Sequence, residues 1–255
     1  MIKIFVAILS LLLMNSVAAQ EVSDDVDRGI ASVKQRTFDF SAETRFFAPN
    51  FNGQLKAADF RFDGGRVDLR DDLNITHNAA PEILLRHKNF SLDWIHMHGA
   101  GKSFGTVNFG GQTLSGKLTT RSDFHFVCAK LDRKIFSLMG TGIDWTVALN
   151  GVGWHGTARD ENSAASKNFF AVVPSVGLNL YVRFRPRWDL YVQFAGLPFG
   201  RRGHFADFEA GLKYSPRKNF SVGAGWRRID FKLRRGGNFG NFVLSGLVVG
   251  VRYDW

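Results

Sequence analysis

A hydrophobic period of two residues runs through most of the chain after residue 33 and restricts its fold more than any other feature. It recurs in stretches of about ten residues, separated by clusters of Gly, Asn, Asp and Pro. Since side chains alternate between the two sides of a β-strand, the pattern predicts strands with one apolar side. The last stretch shows it most clearly, with one side formed by Leu247, Val249, Val251, Tyr253 and Trp255.

A soluble β-sandwich alternates in the same way, so the period alone does not distinguish it from a barrel that crosses a membrane. The aromatic content favours the barrel, because 25 Phe and 6 Trp suit strands that meet lipid and its interfaces. Short turns such as Pro186-Arg187 also alternate with longer loops, as periplasmic turns and external loops do. After Gln20 no apolar window is long enough for a helical span.

The first residues indicate export. Lys3 precedes an apolar run from Ile4 to Met14, which is too short to span a bilayer, and small residues follow up to Ala19. This order is typical of a secretory signal peptide. We therefore expect a signal peptide over 1–19, a short periplasmic extension over 20–33 and a barrel over 34–255.

Counting between turns predicts an all-β fold, an antiparallel up-and-down transmembrane β-barrel with ten strands. Eight strands remain the alternative, because the 80–101 region is short and the phase of its alternation is uncertain. The ten candidate strands lie near 35–48, 80–88, 90–101, 117–131, 134–149, 169–185, 187–198, 204–215, 219–233 and 241–255.

The end of the chain, with Val251 and Tyr253 at alternate positions before Trp255, resembles the C-terminal assembly signal of bacterial outer-membrane barrels. The chain as a whole resembles the superfamily of small outer-membrane barrels, the OmpA/OmpX-like and ten-stranded kinds. Val67–Leu73 and Phe109–Thr113 look like loop segments of its poorly characterised members. The resemblance implies a Gram-negative outer membrane as the location, with its lipid and the barrel-assembly machinery as partners. It implies no specific activity, because many activities share such barrels.

The polar side of the strands carries charges of both signs, and in a narrow barrel that side faces inward. Because unpaired buried charge is costly, we expect these residues to pair and plug the interior, in preference to lining a path for solutes. The predicted interior charges are Asp39, Glu43, Arg45, Asp93, Asp123, Asp144, Arg183, Arg185, Asp207, Glu209, Arg227 and Arg252.

The formal net charge of +10 suits an anionic partner such as a membrane surface or a phosphorylated glycolipid. Export argues against nucleic acid. Arg201, Arg202, Arg234 and Arg235 fall in the last two predicted external loops, where arginines could contact lipopolysaccharide phosphates. Ordinary solvated loop charges are the alternative interpretation.

No metal or cofactor site is predicted. His96 and His98 share one side of a strand, but no third ligand is near them in the sequence, which favours interfacial histidines. Carboxylates in the first long loop could attract Ca²⁺, but they lack EF-hand spacing, which favours a solvated acidic loop. These carboxylates belong to Asp59, Asp63, Asp68, Asp71 and Asp72.

No catalytic residue is predicted either. His204, Asp207 and Glu209 are the strongest candidates for a hydrolase, but no nucleophile accompanies them. The predicted function is therefore non-enzymatic: a monomeric barrel with a structural or surface-interaction role. A narrow channel for small solutes and an envelope hydrolase that acts on lipid A or peptides remain the alternatives.

Overall fold

A computed structural model describes residues 40–56, 61–62, 67–77, 79–109, 111–138, 140–235 and 238–255. The predicted signal peptide and periplasmic extension lie outside the described residues, as do Asp39, Asp59 and Asp63. Among the described residues, no helix has the length and apolar character that crossing a membrane requires.

The described residues form thirteen antiparallel strands. They are β1 (Phe40–Lys56), β2 (Arg61–Phe62), β3 (Val67–Asp68), β4 (Thr76–His77), β5 (Ala80–His87), β6 (Phe90–Phe109), β7 (Gln112–Leu138), β8 (Thr141–Arg159), β9 (Ala164–Arg185), β10 (Trp188–Pro198), β11 (Gly203–Arg217), β12 (Phe220–Arg235) and β13 (Asn238–Asp254).

Ten of these strands, β1 and β5 to β13, form a closed ring in which each strand pairs with its neighbours in the sequence. β13 pairs with β1 from Ser41↔Asp254 to Lys56↔Phe239, which joins the last strand to the first. Closure leaves no free sheet edge in the ring. The predicted ten-stranded up-and-down barrel is therefore confirmed.

Two ends of the ring are defined by the turns. The strand ends that face the turns from β5 to β6, β7 to β8, β9 to β10 and β11 to β12 lie together with the last residues of β13, and we call this the periplasmic end. The strand ends that face the connections from β6 to β7, β8 to β9, β10 to β11 and β12 to β13 lie at the other, external end. At the periplasmic end, Trp255 exchanges backbone hydrogen bonds with Phe40, and their rings pack at 4.7 Å.

The predicted break between the candidate strands near 117–131 and 134–149 is wrong. β7 continues through it to Leu138, and its pairing with β8 shifts between Lys134 and Phe136. A β-bulge of this kind interrupts the period of two without ending the strand. In the sequence, a bulge and a turn both break the alternation of apolar and polar residues, so the two look alike.

An apolar belt covers the outer side of the ring in its periplasmic half. The exposed side chains there include Phe46, Ile83, Leu92, Val127, Leu178, Leu190, Phe194, Val222, Trp226, Val249 and Val251. The predicted assembly residues Val251, Tyr253 and Trp255 are exposed on this side. Because a continuous apolar surface of this size is unfavourable in water, the belt faces lipid.

The strands extend well beyond that belt at the external end. The 27 residues of β7 span about 90 Å along the strand at about 3.3 Å each, and about 65 Å in height at barrel tilt. A lipid-facing band is about 25 Å tall. Above the belt, the outer side becomes polar, with Asn52, Lys102, Arg121, Lys232 and Asn241.

The interior changes in the opposite sense. Its external half is apolar, and the core there includes Phe47, Phe51, Ile95, Met97, Phe124, Phe126, Trp154, Phe205, Phe231, Phe242 and Leu244. Its periplasmic half carries the buried charges, among them Arg45, Glu82, Asp93 and Arg227. In the half that lipid surrounds, the apolar side chains face outward. In the half that water surrounds, they face inward.

The segment between β3 and β4 completes the apolar half. Leu69, Leu73 and Ile75 are buried in the core. The segment lies against the inner side of β6 at Gly101, where a Cβ would stand 2.2 Å from the Leu73 carbonyl oxygen. Glycine is therefore required at 101 for this approach.

Candidate functional site

Arg227 is the centre of the interior charge network. Its side chain is fully buried and donates to both carboxylate oxygens of Asp207, at 2.8 and 3.0 Å. It also donates to Asp93 at 3.0 Å and pairs with Glu82. The guanidinium carbon stands 5.7 Å from the centre of the Phe126 ring. Arg227 thus links β12 to β11, β6 and β5 through the barrel interior.

Arg45 extends the network from β1. It donates to Glu209 at 2.7 Å and pairs with Glu82, whose Oε1 also accepts from Arg227. Tyr191 of β10 donates to the same Glu209 carboxylate at 2.9 Å. Six of the ten ring strands therefore meet in one set of buried ion pairs and hydrogen bonds. Each buried charge faces an opposite charge, which offsets part of the cost of removing it from water.

Toward the periplasmic end, the interior stays polar. Asp132 accepts from Thr146 and, at 3.0 Å, from Asn179. Beside these groups and Lys130 lies a cavity of about 10 Å³, which holds roughly one water molecule. A cavity of this size does not form a path for a solute.

Toward the external end, the apolar half contains a small polar cluster. Trp154 donates to Ser122 at 2.7 Å, and His77 lies 3.3 Å from the same hydroxyl. The His77 ring packs 4.1 Å from the ring of Phe51. Burial lowers the pKa of His77 to about 4, so the ring is neutral at neutral pH. The apolar half is therefore sealed without adding a buried charge.

A basic pocket lies on the external rim, where β11 meets β12. It has a volume of about 260 Å³ and is lined by Gly200, Arg201, Arg202, Gly203, His204, Lys232 and Arg234.

The backbone that forms this pocket is a tight turn. Gly200–Arg202 form a single 3-10 turn, and Phe199 donates to the Gly203 carbonyl at 2.8 Å. Gly203 has a φ of 133°, and a Cβ there would stand 1.9 Å from the Lys232 carbonyl oxygen. Only glycine fits this conformation and this approach. The turn therefore presents Arg201 and Arg202 beside β12.

The pocket lies above the lipid-facing belt, where its lining residue Lys232 is six residues beyond Trp226 on β12. Going up the outer side of β12, Trp226 is followed by Arg228, Asp230, Lys232 and Arg234 at alternate positions. Trp226 packs against Phe208 of β11, with ring centres 6.2 Å apart. Aromatic residues of this kind mark the boundary between lipid and water in membrane barrels. The cations begin directly above that boundary.

Asp230 is the acidic residue beside the pocket. It lies 2.9 Å from His204 and accepts from Arg228 at 3.2 Å. Arg234 stands 5.8 Å above the Phe239 ring. Arg201, Arg202 and Lys232 form no ion pair with other described residues, so these three side chains are available to an anion.

Three of the four predicted rim arginines thus share one pocket. Arg201, Arg202 and Arg234 line the same pocket, whereas Arg235 is the last residue of β12. Lys232 joins them, although the sequence did not single it out. Its signal was its alternation with Arg228 and Arg234 on one side of a strand.

Most predicted interior charges point into the barrel. These are Glu43, Arg45, Asp93, Asp144, Asp207, Glu209, Arg227 and Arg252. Arg183 and Arg185 are exposed at the periplasmic end, where Arg183 pairs with Asp189 at 2.8 Å.

Asp123 differs from its prediction. It lies on the outer side of β7, 2.7 Å from His98, because the external half of the barrel has its polar side outward. Glu82, Lys130, Lys213 and Tyr191 belong to the interior and were missed. Glu82 was missed because the phase of β5 was uncertain, although it shares parity with the inward-facing Arg86.

The candidate hydrolase residues do not form one site. Asp207 and Glu209 face inward and bind Arg227 and Arg45, whereas His204 lies on the rim beside Asp230. Side chains on opposite sides of one strand cannot act on a common substrate.

The described part of the acidic loop closes a turn. One oxygen of Asp68 accepts from the backbone of Arg70 at 3.0 Å and of Asp71 at 3.1 Å. Asp72 accepts from the backbone of Asp68 at 2.7 Å. These carboxylates have a local structural role, and calcium binding stays untested.

The closed ring and its lipid-facing belt define the class: a transmembrane β-barrel protein of the kind that occupies bacterial outer membranes. No family model and no curated protein sequence matches the chain.

Among solved structures, it is similar to the outer-membrane protease OmpT of Escherichia coli. The identity is 12%, the match covers 87% of this chain and 100% of that chain, and the TM-score is 0.49. It is also similar to Ail, the attachment invasion locus protein of Yersinia pestis, at 10% identity, with 85% and 100% covered and a TM-score of 0.39. Neisserial surface protein A has 11% identity, 85% and 97% covered, and a TM-score of 0.33. At these identities no functional residue is transferred.

Proposed function

We propose that this protein is a closed, non-enzymatic barrel that binds lipopolysaccharide phosphates at its external rim. The observation that supports the binding is the basic pocket, which gathers Arg201, Arg202, Lys232 and Arg234 on the external side of the belt's aromatic edge.

The chemistry of the pocket suits a phosphate. Guanidinium groups donate to phosphate oxygens in pairs, and such charge-assisted hydrogen bonds are about twice as strong as neutral ones. The volume of about 260 Å³ has room for a phosphate monoester with part of its sugar. Lipid A carries its phosphates at the membrane surface, and its acyl chains would lie along the belt beside Phe208 and Trp226.

The filled interior supports a structural role in preference to transport. The ion-pair network crosses the periplasmic half, and the aromatic core with the β3–β4 segment fills the external half. A solute would have to break buried ion pairs in the first layer and displace packed rings in the second. Both steps are costly.

A charge-matched pair of variants tests the binding. In the first, glutamine replaces Arg201, Arg202, Lys232 and Arg234. In the control, glutamine replaces four exposed cations of the periplasmic end, namely Arg185, Arg187, Arg217 and Lys218. Both changes remove the same charge, so nonspecific attraction to anionic lipid falls equally.

The measurement is the lipopolysaccharide that remains bound through detergent purification, together with affinity for purified lipopolysaccharide. We expect the rim variant to bind at least tenfold more weakly, since each lost charge-assisted hydrogen bond contributes about 1.5–3 kcal/mol. Enzymatically dephosphorylated lipopolysaccharide should bind the unaltered protein equally weakly. Equal retention by the rim variant and the control would refute the proposal.

A further inference from the structure

A second cluster of polar side chains lies on the outer wall, across β6 and β7 and away from the basic pocket. His96 of β6 is directly opposite His125 of β7. Their Nδ1 atoms are 3.1 Å apart, and their ring centres are 4.4 Å apart. The two imidazoles therefore present nitrogen atoms to each other.

The next cross-strand pair on this side, toward the external end, adds two more groups that can bind a metal ion. His98 is opposite Asp123, with Nδ1 and Oδ1 at 2.7 Å. Because alternate residues of a strand share one side, the four side chains occupy the corners of a small square. In the sequence, His96 and His98 had no third ligand; the strand register provides His125 and Asp123.

The spacing of the two imidazoles suits a shared metal ion. Two nitrogen donors at about 2.0–2.1 Å from Zn²⁺ are about 3.4 Å apart in a tetrahedral site. In a square or octahedral arrangement they are about 2.9 Å apart. The observed 3.1 Å falls between these values. Imidazole is a ligand that Zn²⁺, Cu²⁺ and Ni²⁺ share.

The third ligand must come from a side-chain rotation. Among the described residues, no three His, Cys, Asp or Glu side chains already surround a common point. The side chains of Asp123 and His98 are 33% and 56% exposed, so either can turn toward the pair without disturbing the core. Water can complete the coordination, because both of these side chains are exposed on the outer wall.

We infer that His96 and His125, completed by Asp123, bind a divalent transition-metal ion on the outer wall of the barrel. The site joins β6 to β7 one strand position above Trp94, whose ring is stacked 6.1 Å from that of His96. This inference is independent of the basic pocket and of lipopolysaccharide binding.

Calorimetric titration of the folded protein with Zn²⁺, in detergent, at neutral pH and without a polyhistidine tag, tests the site. We expect saturable binding of one equivalent. His125→Asn and His96→Asn should each weaken binding at least tenfold, and Asp123→Asn should weaken it less. His87→Asn, an exposed histidine at the periplasmic end, is the matched control and should bind as the unaltered protein does.

Cu²⁺ provides a second readout through electron paramagnetic resonance. The unaltered protein should show two coordinating nitrogens, and each single variant should show one. Retained heat-modifiable migration on gels would show that the variants are folded, as expected for changes on the outer wall. Absence of one-equivalent binding, or equal affinity in His125→Asn, would overturn the inference and leave a hydrogen bond between the two rings.

Discussion

Two adjacent arginines on β12 have different environments because successive side chains face opposite sides of a strand. Arg227 points inward, is 1% exposed and meets the carboxylates of Glu82, Asp93, Asp207 and Glu209. Arg228 points outward, is 49% exposed and pairs with Asp230 at 3.2 Å. A buried charge without its partner is far more costly than an exposed one. Arg228 is therefore a matched control for substitutions of Arg227 in the interior network.

We expect Arg227→Met to lower the free energy of unfolding by about 3–5 kcal/mol, because it leaves buried carboxylates unpaired. Arg228→Met should change it by less than about 1 kcal/mol. Denaturant unfolding of the refolded barrel in lipid vesicles measures both values. Equal, small effects in the two variants would mean that the network contributes no net stability.

At the scale of elements, the segment between β3 and β4 acts as an inner layer of the external half. Its packing depends on two backbones lying close together at Gly101, as the contact with the Leu73 carbonyl shows. Thr120 of β7 lies 3.4 Å from the same carbonyl and Asn74 donates to the Lys102 carbonyl at 3.3 Å, both of which fix the segment. The segment is thus held from two strands of the wall.

We expect Gly101→Ala to displace this segment without opening the ring. Overpacking of this kind costs about 1–3 kcal/mol, which corresponds to roughly 5- to 150-fold more frequent local opening. Trypsin cleavage after the exposed Arg70 reports that opening. Gly223→Ala is the control, because a Cβ there finds its nearest neighbour at 3.6 Å. Equal cleavage rates in the two variants would contradict the packed segment.

The elements also show what sequence reasoning can and cannot recover. The ten barrel strands were predictable because lipid and a charged interior impose opposite polarities on alternate residues. The extension of β7 through 132–134 was not, since a bulge and a turn interrupt the period in the same way.

Asp123 marks the second limit. In the membrane-spanning half a charged residue faces inward, but in the external half it faces water, so the same alternation has two meanings. The sequence does not show at which residue of a strand the polar side changes from facing inward to facing outward. The partners of His96 show a third limit, because cross-strand neighbours depend on register, which a single strand does not reveal.

At the scale of the whole molecule, the barrel combines two packing regimes along one set of strands. The lower half is a membrane protein with a charged interior, and the upper half is packed like a soluble protein, with aromatic side chains inside. The ring is closed laterally by the pairing of β1 with β13, with buried ion pairs in its lower half and packed aromatic rings in its upper half. The external rim and the outer wall are therefore the exposed surfaces of the upper half.

Planar-bilayer recording tests the closed interior most directly. The purified protein is reconstituted at high protein load, and an open porin in the same bilayer shows that channels would be detected. We predict no unitary conductance steps from this barrel, because ion pairs and packed rings occupy its interior. Reproducible discrete steps from the unaltered protein would contradict the account and identify it as a channel.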